Sequence, residues 1–245
     1  MTMVNYETSP FPVREDLADA HRRAWARLGG AGTWLTAEER IHVAFEVRNA
    51  PGCKLCEKRK SAISPYAVKG THDSLGDLPE NWVEVVHRVM SDPGRITHKW
   101  VEDMLESGIS DGQYVEIVSV IAHVVAIDTF TSALGSAPHD LPEPAAGAPT
   151  RYRPVEARVT DAWVPTIVWE EAGPNEADFF TGPGSNIRRA ITLVPDEARS
   201  FFNIGHHQYW PKEAYHDLTS EHRAISRELV EVVAGRISAI NQCTY

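Results

Sequence analysis

The sequence predicts an all-α protein that folds as a helical bundle. Apolar residues recur with helix-type spacing along most of the chain, and long β-type alternation is nearly absent. Proline and glycine divide the chain into helix-sized blocks. Hydrophobic residues make up 42% and charged residues 24% of the 245 positions, which is typical of a globular protein with a real core.

The helices follow from these blocks in chain order. Thr36 is a helix-start signal, and Pro51 with Gly52 ends the helix that it opens. The most apolar block is long, so we expect it and the last helix to lie at the centre of the bundle. The predicted helices cover 14–28, 37–49, 53–63, 82–90, 97–106, 111–133, 187–193, 196–204 and 220–241.

A stretch rich in proline and alanine separates two halves of the chain. Five prolines between 138 and 154 prevent any helix from continuing there. The predicted organisation is therefore an N-terminal helical repeat over 1–137, a linker over 138–158 and a C-terminal repeat over 159–245.

The two halves resemble each other, which predicts a pseudo-twofold pair of repeats. Residues 115–130 align with residues 230–245 without a gap. In this alignment Glu116 falls on Glu231, and Asp128 falls on Cys243. The second copy carries an insertion upstream of this segment.

Charge and composition disfavour several classes of partner. A net charge of −10 would repel the phosphates of nucleic acids. Membrane association is not expected, because no stretch reaches the roughly 18 apolar residues of a membrane span. The N-terminal residues show no basic segment followed by an apolar run, so we expect a cytoplasmic protein. Three cysteines are also too few for a secreted disulfide framework. The sequence shows no glycine-rich phosphate loop and no haem-attachment motif, so no cofactor is expected.

Cys53 and Cys56 form a CxxC pair directly after Pro51 and Gly52, at a predicted helix N-terminus. The helix dipole and nearby lysines would favour the thiolate form there. In a reducing compartment such a pair is redox-active or binds a metal. Zinc is disfavoured, because one CxxC supplies two ligands and the sequence holds no second pair. No metal site is predicted on these grounds, and His87 is interpreted as structural.

The end of the second half resembles the core motif of the alkylhydroperoxidase AhpD-like superfamily. In this run Glu231 precedes Cys243 by twelve residues. The family motif continues with a second cysteine three positions on and a histidine four beyond that. The segment from Gly108 to Val118 also resembles the end of such a domain.

This resemblance implies two AhpD-like repeats and a thiol-dependent hydroperoxide reductase. It assigns Cys243 as the resolving cysteine and Glu231 as the proton-relay acid. The motif is truncated after Tyr245, so we expect either that it continues beyond this residue or that this site is inactive. Cys53 and Cys56 are the second candidate pair.

The implied partners are a small hydroperoxide substrate, a thiol reductant or reductase protein, and further copies of the chain in a homodimer or higher homo-oligomer. One alternative is a carboxymuconolactone-decarboxylase-like enzyme that works by acid–base chemistry. Glu116 and His123, seven residues apart and therefore on one helix face, are its candidates. The other alternative is a non-catalytic helical oligomer with decayed sites.

Overall fold

The structure, a computed structural model, confirms the all-α fold. It describes residues 4–179, 186–211, 217, 219 and 221–241. Within these residues the only β-type pairing is an isolated antiparallel bridge between Arg158 and Thr166. The pseudo-twofold relation of the two halves stays a prediction.

Local start signals fix the two helices whose bounds were predicted best. Thr36 and Ser110 each form a capping box. The side chain of the capping residue accepts a hydrogen bond from the backbone N–H three residues later, and the side chain of that later residue accepts one from the backbone N–H of the capping residue. The helices are α1 Glu15–Leu28, α2 Ala37–Asn49, α3 Lys54–Ser61, α4 Glu80–Ser91, α5 His98–Glu106, α6 Asp111–Ala133, α7 Asn186–Arg189, α8 Pro195–Gln208 and α9 Arg227–Ile240.

Two helices in the second half are shorter than predicted. Helix α7 ends at Arg189, whose carbonyl oxygen accepts the hydroxyl of Thr192 at 2.7 Å. Pro195 then opens α8. Helix α9 begins at Arg227, seven residues after the predicted start at 220, and Ser226 is its N-cap residue.

Helix α6 is the centre of the core. It packs against α2, α4 and α8, and Ile117, Val120 and Ile127 on it are completely buried. Among the described residues it is the one helix long and apolar enough to cross a membrane, and 56% of its most apolar window is buried inside the structure. Packing in a protein core accounts for this apolar character, and the cytoplasmic location stays a prediction.

The proline-rich linker and α8 both lie against the first half. The backbone N–H of Ala145 donates to the carbonyl oxygen of Gly29, and that of Arg151 donates to Thr33, each at 2.8 Å. Helix α8 packs along α1. The linker is therefore attached to the body of the protein along its length.

Helix α9 lies at the surface, so its predicted central position is wrong for the single chain. The only buried side chain of this helix is Arg227, among the described residues. Five of its large apolar side chains are more than half exposed, and these are Leu229, Val232, Val233, Ile237 and Ile240. An apolar face of this kind is typical of an interface, and the homo-oligomer stays a prediction.

A buried histidine joins the N-terminal segment to α1. The Nδ1 atom of His21 lies 2.6 Å from the hydroxyl of Tyr6, and the histidine is completely buried. Burial disfavours the charged imidazolium and lowers the pKa of His21 to about 4. The folded protein therefore holds this histidine neutral where the unfolded chain would protonate it.

We expect this histidine to weaken the fold in mild acid. Between pH 6.5 and 4 the unfolded state binds a proton that the folded state does not, so the free energy of unfolding falls by up to about 3 kcal/mol as the pH drops through this window. The variant His21→Gln lacks this contribution. Urea denaturation at several pH values should therefore show the stability difference between the wild type and the variant shrinking toward pH 4. A difference that stays constant would contradict the neutral state of His21.

Candidate functional site

The CxxC pair lies at the N-terminus of a helix, as the sequence predicts. A 3-10 turn over Ala50–Gly52 ends α2, and Cys53 follows it in an extended conformation as the residue that precedes α3. Cys56 is the third residue of α3, within its first turn. Both cysteines are buried, and no disulfide joins them in the structure.

Two histidines converge on these sulfurs from other parts of the chain. His72 belongs to the segment between α3 and α4, and its Nδ1 lies 3.5 Å from the Sγ of Cys53 and 3.5 Å from the Sγ of Cys56. His87 belongs to α4, and its Nδ1 lies 3.3 Å from the Sγ of Cys56. The four atoms lie within 4.8 Å of one another. Sequence reasoning missed His72 and interpreted His87 as structural.

Each histidine also contacts a carboxylate through its second ring nitrogen, Nε2. The Nε2 of His87 lies 2.7 Å from Oε1 of Glu46, and the Nε2 of His72 lies 2.8 Å from Oε2 of Glu84. Arg59 donates to the same oxygen of Glu84 at 2.7 Å. Because the carboxylates occupy the Nε2 side of both rings, the Nδ1 atoms face the sulfurs.

These contacts shift the protonation of the site toward a thiolate and imidazolium pair. Burial alone would raise the pKa of Cys56, but hydrogen bonds with His72 and His87 outweigh it and lower this pKa to about 6. Burial would lower the pKa of His72, but its bonds with Cys56 and Glu84 raise it to about 10. At neutral pH, and without another cation at the site, Cys56 is therefore a thiolate beside an imidazolium.

Glu231, the proton-relay acid assigned by resemblance, does not reach this site. Glu231 lies on the exposed α9, where it pairs with Arg227 at 2.6 Å and accepts the hydroxyl of Tyr209 at 3.1 Å. Cys243 lies outside the described residues. The structure therefore brings Cys53 and Cys56, but not Glu231, together with histidines.

The candidates for acid–base chemistry, Glu116 and His123, lie in a buried ionic cluster at the centre of the fold. Glu116 pairs with Arg40 at 2.6 Å, and Arg40 also pairs with Glu197 of α8 at 2.7 Å. All three of these side chains are at most 2% exposed. The Nδ1 of His123 lies 3.9 Å from Glu197, and no hydrogen bond joins His123 to Glu116 within the described residues. The cluster links α2, α6 and α8, so its role is to hold these three helices together.

A separate cavity of about 410 Å³ lies on another part of the surface. It is lined by Val101, Tyr114, Trp163 and Arg189, among other residues. None of the two cysteines and two histidines of the CxxC site takes part in this lining. The CxxC site and this cavity are therefore separate sites.

Comparisons with known proteins match no protein family, no curated protein and no solved structure. The interpretation of the site therefore depends on its geometry and chemistry.

The buried cluster predicts unequal effects for two arginines that contact the same carboxylate. Replacing Arg40 by methionine leaves Glu116 and Glu197 buried without their shared cation, so we expect the free energy of unfolding to fall by about 3–5 kcal/mol. Arg27 also pairs with Glu197, at 2.8 Å, but is 29% exposed. The control variant Arg27→Met should therefore cost about 1 kcal/mol or less. Urea denaturation of both variants tests this prediction. Equal losses of unfolding free energy would show that Arg40 does not neutralise the buried carboxylates of Glu116 and Glu197.

Proposed function

We propose that this protein is a thiol-dependent hydroperoxide reductase that cycles Cys53 and Cys56 between a dithiol and a disulfide. The observation that carries the proposal is the convergence of two thiols and two carboxylate-bound histidines within 4.8 Å. A peroxidatic cycle needs a stabilised thiolate, a second thiol and groups that accept and return protons. This proposal places the reacting pair in the first half of the chain instead of at Cys243 and Glu231.

Cys56 is the proposed nucleophile, because it contacts both imidazoles and its pKa is about 6. Its thiolate attacks one peroxide oxygen, so that a sulfur–oxygen bond forms and the oxygen–oxygen bond breaks. The departing alkoxide takes a proton from an imidazolium and leaves as the alcohol. Cys56 becomes a sulfenic acid.

Cys53 is the proposed resolving residue. Its sulfur attacks the sulfenic sulfur, a disulfide forms, and the hydroxyl leaves as water after it gains a proton. The sum is one hydroperoxide and two thiols giving one alcohol, one water and one disulfide. A dithiol reductant or a reductase protein then restores both thiols.

His87 and His72 are suited to carry these protons. Each ring is held at Nε2 by Glu46 or Glu84, so only Nδ1 is free to exchange a proton with the sulfur. A ring fixed in this way needs no reorientation between accepting the thiol proton and returning it to the leaving group.

Burial of the sulfurs sets the expected class of substrate. Cys53 is 2% exposed and Cys56 is 4% exposed. We therefore expect hydrogen peroxide and small alkyl hydroperoxides to react faster than bulky lipid hydroperoxides. The acid–base alternative at Glu116 and His123 is weaker, because Arg40 and the backbone N–H of Trp34 already bind the carboxylate of Glu116. Ser119 and Ser200 likewise contact the two ring nitrogens of His123.

The proposal predicts which thiols disappear when the reduced, metal-free protein meets one equivalent of hydrogen peroxide. Two of the three thiols should be lost, with one disulfide between Cys53 and Cys56 in the peptide map. Cys56→Ser should abolish the reaction, and Cys53→Ser should stop at a sulfenic acid that dimedone traps. The matched control Cys243→Ser should react like the wild type.

The histidine relay is tested in the same assay. His87→Asn removes the imidazole next to Cys56, and we expect peroxide consumption to slow by about 100-fold or more. An unchanged rate, or thiol loss that depends on Cys243, would contradict the proposed site.

A further inference from the structure

We infer that the reduced CxxC site binds one zinc-type cation in a tetrahedron formed by Sγ of Cys53, Sγ of Cys56, Nδ1 of His72 and Nδ1 of His87. This inference goes beyond the proposed reductase. It also revises the expectation from sequence, in which one CxxC offered only two ligands. Packing of α4 and of the segment before it supplies the two missing ligands.

The distances between the donor atoms fit one shared ion. Zinc binds thiolate sulfur at about 2.3 Å and imidazole nitrogen at about 2.0–2.1 Å, so sulfur and nitrogen on a tetrahedral ion lie about 3.6 Å apart. Three of the four separations between Sγ and Nδ1 are 3.5, 3.5 and 3.3 Å. These three already match a tetrahedral ion, and all four donor atoms lie within 4.8 Å of one another, so small side-chain movements would close the site around one cation.

The outer contacts also have the arrangement of a metal centre. A neutral histidine that ligates through Nδ1 carries its hydrogen on Nε2, and in metal sites this hydrogen usually goes to a carboxylate. Glu46 and Glu84 accept at these positions, at 2.7 and 2.8 Å. The two carboxylates are themselves held, Glu84 by Arg59 and Glu46 by the backbone N–H of Leu75.

Charge and ligand count indicate a closed site. Two thiolates balance the charge of one divalent cation, and their soft sulfur atoms favour zinc over magnesium or calcium. Four protein ligands leave no open position for water, which is typical of structural zinc. Such an ion would join α3, α4 and the intervening segment, which has no long helix.

Metal binding and disulfide formation exclude each other, because both use the same two sulfurs. Cation binding itself does not depend on the proposed reductase activity. One consequence does rest on that activity: a zinc-loaded site that meets a hydroperoxide and two protons would give the disulfide, the alcohol, water and free Zn²⁺. The two thiolates supply the two electrons that reduce the peroxide.

Cobalt provides the spectroscopic test. The reduced full-length chain, freed of metal by a chelator, is titrated with Co²⁺ without oxygen. We expect intense visible bands of tetrahedral cobalt and a thiolate-to-metal band in the near ultraviolet, saturating at one ion per chain. Zn²⁺ should then abolish these bands at one equivalent. A faint spectrum of six-coordinate cobalt would overturn the inference.

Variants assign the ligands. Cys53→Ser, Cys56→Ser, His72→Ala and His87→Ala should each lose the tetrahedral spectrum, whereas Cys243→Ser and the exposed His98→Ala should keep it. Glu84→Gln keeps all four ligands, and we expect it to bind zinc 10–100-fold more weakly. Circular dichroism identifies any variant that fails to fold. If a ligand variant does not fold, the zinc affinity of Glu84→Gln tests the metal site instead. An affinity unchanged in Glu84→Gln, or a spectrum that survives His72→Ala and His87→Ala, would overturn the assignment.

The two proposals fail in different ways. If cobalt gives the tetrahedral spectrum but the metal-free protein loses no thiols to hydrogen peroxide, the metal site stands and the reductase fails. If thiols are lost but no tetrahedral complex forms, the metal inference is overturned.

Discussion

His87 uses both nitrogens of one buried ring to join three helices. From α4 it contacts Glu46 of α2 through Nε2 and Cys56 of α3 through Nδ1. The ring is completely buried, and a buried polar atom without a partner costs about 1–3 kcal/mol. The positions of α2, α3 and α4 are therefore coupled through this one side chain.

Helix α2 shows how one element serves both the core and two polar clusters. Arg40 and Glu46 are six residues apart, which places them about 120° apart around the helix axis. Arg40 enters the ionic cluster with α6 and α8, and Glu46 supports the thiol site, while Val43 and Ala44 between them are completely buried. Because α2 is buried on several sides, its sequence lacks a single apolar face, and its amphipathicity gives no hint of the site.

The sequence could predict what depends on neighbouring residues. Capping at Thr36 and Ser110 and the stop at Pro51 are local, so helices α2 and α6 and the position of Cys53 were predicted correctly. The histidines of the site were not predicted, because His72 and His87 follow Cys56 by 16 and 31 residues and reach it only through packing. The surface position of α9 was missed for the same reason, since an apolar helix pattern does not say what the helix packs against.

The metal-free and the metal-bound forms of the site neutralise the charge of buried thiolate in two different ways. A buried thiolate needs nearby positive charge, because burial makes an unpaired anion costly. Protons on His72 and His87 supply it in the metal-free site, which suits a nucleophilic thiolate. A divalent cation supplies the same charge with both rings neutral, so its binding must release those protons. Glu46 and Glu84 accept from Nε2 in either state, and for this reason the carboxylates, as much as the cysteines, define the site.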